Sequence, residues 1–141
     1  MTTAADTVLR GGRIIDRTGE RAADVLISGG RIVAVGEGLD ADVVVDAGGC
    51  LVAPGLVDLH THLRQPGRED AETIESGSRA AALGGYTAIL AMPNTTPPID
   101  CAAVVREVLE LGRAAVCDVH TSGAITVGRA GEQLAPMAEM A

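Results

Sequence analysis

The sequence predicts an α/β chain in two parts. Residues 1–54 are expected to form a small β-sheet or half of a β-sandwich. Residues 55–141 are expected to form the first strands and helices of a parallel (β/α)8 TIM-type barrel. Three observations carry this expectation. Short β-rich runs broken by glycine pairs fill the chain up to Pro54. Beyond Pro54, apolar strands alternate with stretches of helical spacing, the pattern of βαβ units. The strand centres, near residues 57, 89 and 117, recur about every 30 residues.

In the first part the β-rich runs are Val8-Leu9, Ile14-Ile15, Val25 to Ile27, Ile32 to Val35 and Val43 to Val45. Breaks are expected at Gly11-Gly12, Gly29-Gly30, Gly36 to Gly38 and Gly48-Gly49. Val25 to Val35, with Ser28-Gly29-Gly30 in the middle, reads as a hairpin. Nothing in this part carries recognisable chemistry, and its expected role is structural.

In the second part, Leu56 to Leu59 is a short strand that ends in the polar cluster His60-Thr61-His62-Leu63-Arg64. Residues 72–83 read as a helix, with Ile74, Gly77, Ala81 and Leu83 on one face and Gly84-Gly85 as its stop. Tyr86 to Met92 is the next buried strand, followed by a proline-rich loop through Pro98. Asp100 is placed to cap a helix over 101–112, with Val104, Val105, Val108 and Leu111 on its inner face and Gly112 as its stop. Ala114 to Val119 is a third strand, His120 to Gly131 a loop, and Gly131 to Ala141 a helical segment interrupted by Pro136. A closed barrel takes ~250 residues and eight strands. About 85 residues follow Pro54, enough for three. The chain is therefore expected to be the amino-terminal piece of a larger protein.

Composition narrows the function classes. The 141 residues hold 11 basic and 19 acidic side chains, a formal charge of −8, which disfavours a phosphate-backbone partner. Tyr86 is the only aromatic residue, so no base-stacking platform is expected. No 18-residue apolar run suggests a membrane span. Cys50, Cys101 and Cys117 are odd in number and widely spaced, which argues against a disulfide framework. Met1 to Asp6 lacks a basic and long apolar leader, and a cytoplasmic location is expected.

The chemistry concentrates at the end of the first barrel strand. Side chains alternate along a strand, so Asp58, His60 and His62 are expected on one face. Two imidazoles two residues apart can converge on one metal ion at about 2.0–2.1 Å each, although a catalytic zinc site needs at least one more protein ligand. Barrel enzymes collect their reactive groups at this end of the strands. Arg64, two residues further on, is expected to face the same mouth, where a planar permanent cation suits a carboxylate. Asn94 occupies the corresponding place after the second strand. His120 is expected to be a non-ligand.

Gly55-Leu56-Val57-Asp58-Leu59-His60-Thr61-His62-Leu63-Arg64, followed by Pro66-Gly67, resembles the metal motif of the amidohydrolase superfamily. With Glu75 to Thr87, Met92 to Pro98 and Gly123 to Gly128, the chain is similar to the long, class I type of bacterial dihydroorotase. The resemblance implies a (β/α)8 barrel holding one or two zinc ions. It matches His60 and His62 to metal ligands, and His62, Arg64 and Asn94 to the residues that bind the substrate. The implied reaction is the reversible cyclisation of N-carbamoyl-L-aspartate to (S)-dihydroorotate plus water, the third step of pyrimidine (UMP) synthesis. A bridging acidic ligand, two further histidines and the catalytic aspartate are expected beyond residue 141, so the chain holds no catalytic residue of its own and is expected to be inactive alone. A homo-oligomer or an association with aspartate transcarbamoylase is the implied assembly. The alternatives are allantoinase or another cyclic amidohydrolase, and a non-catalytic dihydroorotase-like scaffold of aspartate transcarbamoylase. Dihydropyrimidinase-type substrates lack a carboxylate and have no need of Arg64. Gln65 departs from the acidic residue common at its position, without an assigned role.

Overall fold

The computed structural model describes residues 5–141. Residues 1–4, part of the stretch read for a leader, lie outside the described residues. Two compact units meet in sequence between Pro54 and Gly55.

The first unit is a single mixed sheet. Strand β1 (Thr7–Asp16) is its centre and pairs antiparallel with β2 (Gly19–Ser28), which pairs antiparallel with β3 (Arg31–Gly36). Strands β4 (Val43–Asp46) and β5 (Leu51–Val52) run parallel to successive stretches of the other edge of β1. The hairpin turns at Gly29-Gly30, with Ser28 opposite Arg31. Val8, Ile14, Val25 and Ala47 are buried.

The expected break at Gly11-Gly12 is not a break. Strand β1 runs through it with a bulge between Leu9 and Gly12. Gly11 takes φ +73°, a conformation that costs glycine little. Its freed N–H donates to Asp24 Oδ1 at 2.8 Å, and the other oxygen of Asp24 accepts from the Leu39 N–H at 3.2 Å. A buried carboxylate is thus satisfied by backbone donors.

These bonds, led by that from Gly11, hold the Asp24 carboxyl below its ordinary range. The Arg21 guanidinium and Thr18 do the same, more strongly, for Asp16. A carboxyl depressed in the folded state stabilises it above its unfolded pKa, near 4, and that contribution is lost as pH falls through the folded value. The unit is therefore expected to lose stability on acidification from about pH 4 downward. Asp24→Asn should lower stability at neutral pH and flatten that acid limb. Denaturant titrations at pH 7, 4 and 3 check this, and an unchanged pH slope in the variant would contradict it.

The second unit runs β6 (Leu56–Thr61), α1 (Ile74–Leu83), β7 (Tyr86–Ala91), α2 (Ala102–Gly112), β8 (Asp118–Thr121), a 3₁₀ turn at Val127–Arg129 and α3 (Met137–Met140). Its three strands form one parallel sheet in the order β6-β7-β8, the arrangement that strand–helix alternation predicts. Leu63, Ile74, Ile89, Ala91, Ile99, Val104, Val108 and Val119 make the core between sheet and helices.

Several boundaries differ from the sequence expectation for identifiable reasons. Helix α1 begins at Ile74 because Thr73 caps it, with a reciprocal bond to Ser76. Leu83, expected on its inner face, is 91% exposed. Helix α2 is preceded by Cys101 rather than by Asp100, whose carboxylate accepts instead from the Gly128 N–H at 2.7 Å. Leu111 stays exposed while Val104 and Val108 turn inward. Gly112 is the last residue of α2 rather than a stop beyond it, and a Cβ there would lie 3.0 Å from that of Val119, so its absence lets helix and strand approach. Residues 114–116 are turn, and β8 starts only where pairing with β7 begins, at Asp118; it takes in His120, which had been expected in a loop. Residues 131–135 are not helical. Leu134 bridges Thr126, and the last helix forms only after Pro136, where a missing N–H costs nothing. Among the described residues, no helix is long and apolar enough to cross a membrane.

Candidate metal centre

The site is built at the carboxyl ends of the three parallel strands, which are stitched side by side. Thr61 Oγ1 donates to the Leu90 carbonyl at 2.9 Å, the Met92 N–H to the Thr61 carbonyl at 2.8 Å, and the Ser122 N–H to the Ala91 carbonyl at 3.0 Å. These bonds set the segments after β6 and β7 next to each other.

Strict alternation does not place the histidines. Asp58 pairs with Ile89 but Thr61 with Ala91, so β6 carries one extra residue between them. The Asp58 carboxylate folds over this bulge and accepts from the His60 N–H at 2.9 Å. His62 lies just past the strand end. Even so, the two imidazole centroids are 5.1 Å apart with planes inclined at 67°. Both rings belong to exposed residues, and Asp58, His60, Thr61 and His62 border one cavity of about 330 Å3.

Beyond His62 the chain leaves the strand direction. Leu63 turns into the core and Arg64 adopts a left-handed backbone with φ 54°. Arg64 is not among the residues that border the imidazole cavity, which extends along α1 to Gly77, Ala81 and Tyr86. It borders a neighbouring cavity of about 530 Å3 with Arg68, Ala71, Asn94, Thr95 and Thr96. Arg68 is paired with Asp70 at 3.3 Å, whereas Arg64 forms no ion pair among the described residues. Asn94 joins the two places, because its Oδ1 accepts from His62 Nδ1 at 2.8 Å while the residue also borders the Arg64 cavity.

Two roles escaped the sequence reading. Gln65 Oε1 accepts from the Ile74 N–H at 2.8 Å, satisfying an otherwise orphaned donor in the first turn of α1. An acidic residue at this position could accept the same bond, which is why glutamine is tolerated; nothing in the local sequence signals the contact across nine positions. The Asp58 turn did have a signal, since aspartate commonly bonds the backbone two residues on. His120 is exposed on β8 and borders a separate hollow with Leu109, Gly112 and Val119.

The donor chemistry suits zinc, which takes neutral imidazole nitrogens. With Nδ1 of His62 occupied by Asn94, Nε2 carries the free lone pair. Among the described residues no group of three His, Cys, Asp or Glu side chains could enclose an ion. His60 and His62 supply two donors of the type zinc takes, fewer than the three protein ligands of a catalytic site.

Comparison with known proteins agrees with this architecture. Residues 49–141 match the family model described as dihydro-orotase-like. The chain is 59% identical over 97 residues to the dihydroorotase of Mycobacterium leprae and 56% identical over 96 residues to that of Pelobacter propionicus. These alignments take in 68% and 67% of this chain but only 23% of each relative, so the chain spans about a quarter of their length. Among solved structures, it is similar to the L-hydantoinase (dihydropyrimidinase) of Arthrobacter aurescens, with a TM-score of 0.76 and 29% identity over 86% of this chain and 28% of that one. With its paired histidines at the end of the first strand of a parallel sheet, the chain belongs to the dihydroorotase-like family of cyclic amidohydrolases.

Proposed function

We propose that the protein to which this chain belongs is a zinc-dependent dihydroorotase, interconverting N-carbamoyl-L-aspartate and (S)-dihydroorotate plus water in pyrimidine synthesis. The observation that carries this reading is that Asn94, bonded to the imidazole of His62, borders the same cavity as Arg64, which forms no ion pair among the described residues. His60 and His62 would hold the metal, as one zinc ion or as part of a two-zinc site. Zinc, when bound, polarises the scissile amide carbonyl as a Lewis acid. The remaining ligands and the catalytic aspartate are sought outside residues 1–141.

The residues of this chain bind and orient the substrate. Both substrate and product carry a carboxylate, and Arg64 offers a planar, always-charged fork to receive it. Asn94 Nδ2 donates to the same carboxylate, and Asn94 Oδ1 ties that group to His62. A neutral hydantoin or dihydropyrimidine ring makes no use of Arg64, which favours dihydroorotase over the activity named for the similar hydantoinase. Allantoin likewise presents no carboxylate. Both histidines are kept, which favours an enzyme over a non-catalytic scaffold.

Arg64→Ala is expected to raise KM for carbamoyl aspartate by roughly 10- to 100-fold, the worth of a charged hydrogen bond of about 1.5–3 kcal/mol. Steady-state assays of the full-length protein check this, with dihydrouracil as the neutral control substrate. An unchanged KM would remove Arg64 from the carboxylate site.

Three free thiols with no disulfide partner support a cytoplasmic setting. A homo-oligomer and an association with aspartate transcarbamoylase belong to the same reading, and sedimentation with and without added transcarbamoylase measures both.

A further inference from the structure

We propose that Asn94 is a positioning residue for the metal ligand His62, in addition to any contact it makes with substrate; this rests on the reading of His60 and His62 as zinc ligands. Asn94 is supplied by the segment after β7, 32 positions from His62, and its Oδ1 lies 2.8 Å from His62 Nδ1. An amide oxygen accepts only, so the Nδ1 it meets must carry the hydrogen. That fixes the neutral ring in a single tautomer with its lone pair on Nε2, and it sets the plane of the ring. Both are exposed side chains that would otherwise sample several rotamers, and the His62 ring both tautomers. His60 has no comparable side-chain bond among the described residues; its place is set through its backbone N–H on Asp58. The pair is thus held by two devices, one acting on main chain and one on a ring.

The same amide has a second end. Nδ2 is left free to donate, and Asn94 borders the same cavity as Arg64. One side chain therefore links the ligand to the carboxylate pocket. A substrate carboxylate that engages Nδ2 also presses Oδ1 onto His62, which couples substrate docking to ligand orientation.

The two ends can be separated by substitution. Asn94→Asp keeps an acceptor for His62 but replaces the donor with a negative charge that repels the substrate carboxylate. Asn94→Ala removes both. Zinc affinity is measured by chelator competition on the full-length protein, with KM for carbamoyl aspartate in parallel. Loss of such a bond to a metal-bound histidine typically costs about 10- to 100-fold in metal affinity. Asn94→Ala is expected to bind zinc more weakly by that factor, whereas Asn94→Asp binds it at least as tightly as the parent yet shows a raised KM. Zinc affinity unchanged in Asn94→Ala, or lowered equally in both variants, would overturn the proposal. If the parent protein binds zinc with this variant pattern but does not cyclise carbamoyl aspartate, the positioning role stands and the dihydroorotase reading fails.

Discussion

Replacing His60 and His62 together by alanine is expected to strip zinc from the full-length protein and to lower carbamoyl aspartate cyclisation by on the order of 10³-fold or more. The magnitude follows from what a Lewis-acid metal contributes. Several kcal/mol of transition-state stabilisation, at about 1.4 kcal/mol per decade, correspond to three or more powers of ten. The fold should survive, because neither ring is part of the core: both residues are exposed, and the bulge beneath them is held by the Asp58 carboxylate on a backbone N–H that alanine retains. Metal analysis, circular dichroism and the cyclisation assay on one preparation separate the outcomes. A variant that keeps both its metal and its rate would eliminate the proposed centre. One that loses its fold would show that the imidazoles stabilise the strand end, which the exposed geometry does not predict.

Ile89→Ala is expected to have the largest effect on stability. Ile89 is 2% exposed at the middle of β7, the central strand, directly opposite Asp58 on β6 and Val119 on β8. It belongs to the cluster that joins the sheet to Ile74 of α1 and to Val104 and Val108 of α2. Removing three methyl or methylene carbons there leaves a cavity that flanking strands cannot collapse to fill, at a cost of about 2–5 kcal/mol. Against a domain stability of about 5–15 kcal/mol, that is a large fraction. Ile89→Val should cost only about 0.5–1.5 kcal/mol. Denaturant midpoints for both variants in the full-length protein test the ordering. Because Ile89 also borders the imidazole cavity, the alanine variant should show weakened zinc binding before it unfolds globally. Equal midpoints for the two variants would contradict the packing account.

How far local pattern carries can be judged element by element. Helix α1, read over 72–83 with Gly84-Gly85 as its stop, runs from Ile74 to Leu83, because stop signals act through nearest neighbours. The Gly11-Gly12 pair was misread as an interruption, since a glycine pair that ends a strand and one that bulges it look alike; what decides is a carboxylate 13 residues away that accepts the freed N–H. Asp100 shows the same limit. Its type and place suit a helix cap, but its carboxylate accepts from the Gly128 N–H instead, and only the folded chain reveals that partner.

At the site, nearness of the two imidazoles was implicit in their spacing, although a bulge rather than pure alternation achieves it. Arg64 was expected to share their cavity. Its left-handed backbone follows the buried Leu63, and the residue borders a cavity with Asn94, neither of which is legible from local spacing.

The order of chemical groups along the chain, the strand–helix period that lays strands parallel, and the pairing of two metal-type donors at a strand end are properties of neighbouring residues. Sequence by itself determined them, because covalent spacing and backbone periodicity act over a few positions. The bond between His62 and Asn94, the burial of Ile89 against two helices, and the cavity that brings Arg64 next to Asn94 join residues that are distant in sequence. Only tertiary structure decided these, because such contacts arise when packing and hydrogen-bond competition among remote segments select one arrangement from many that local preference allows equally.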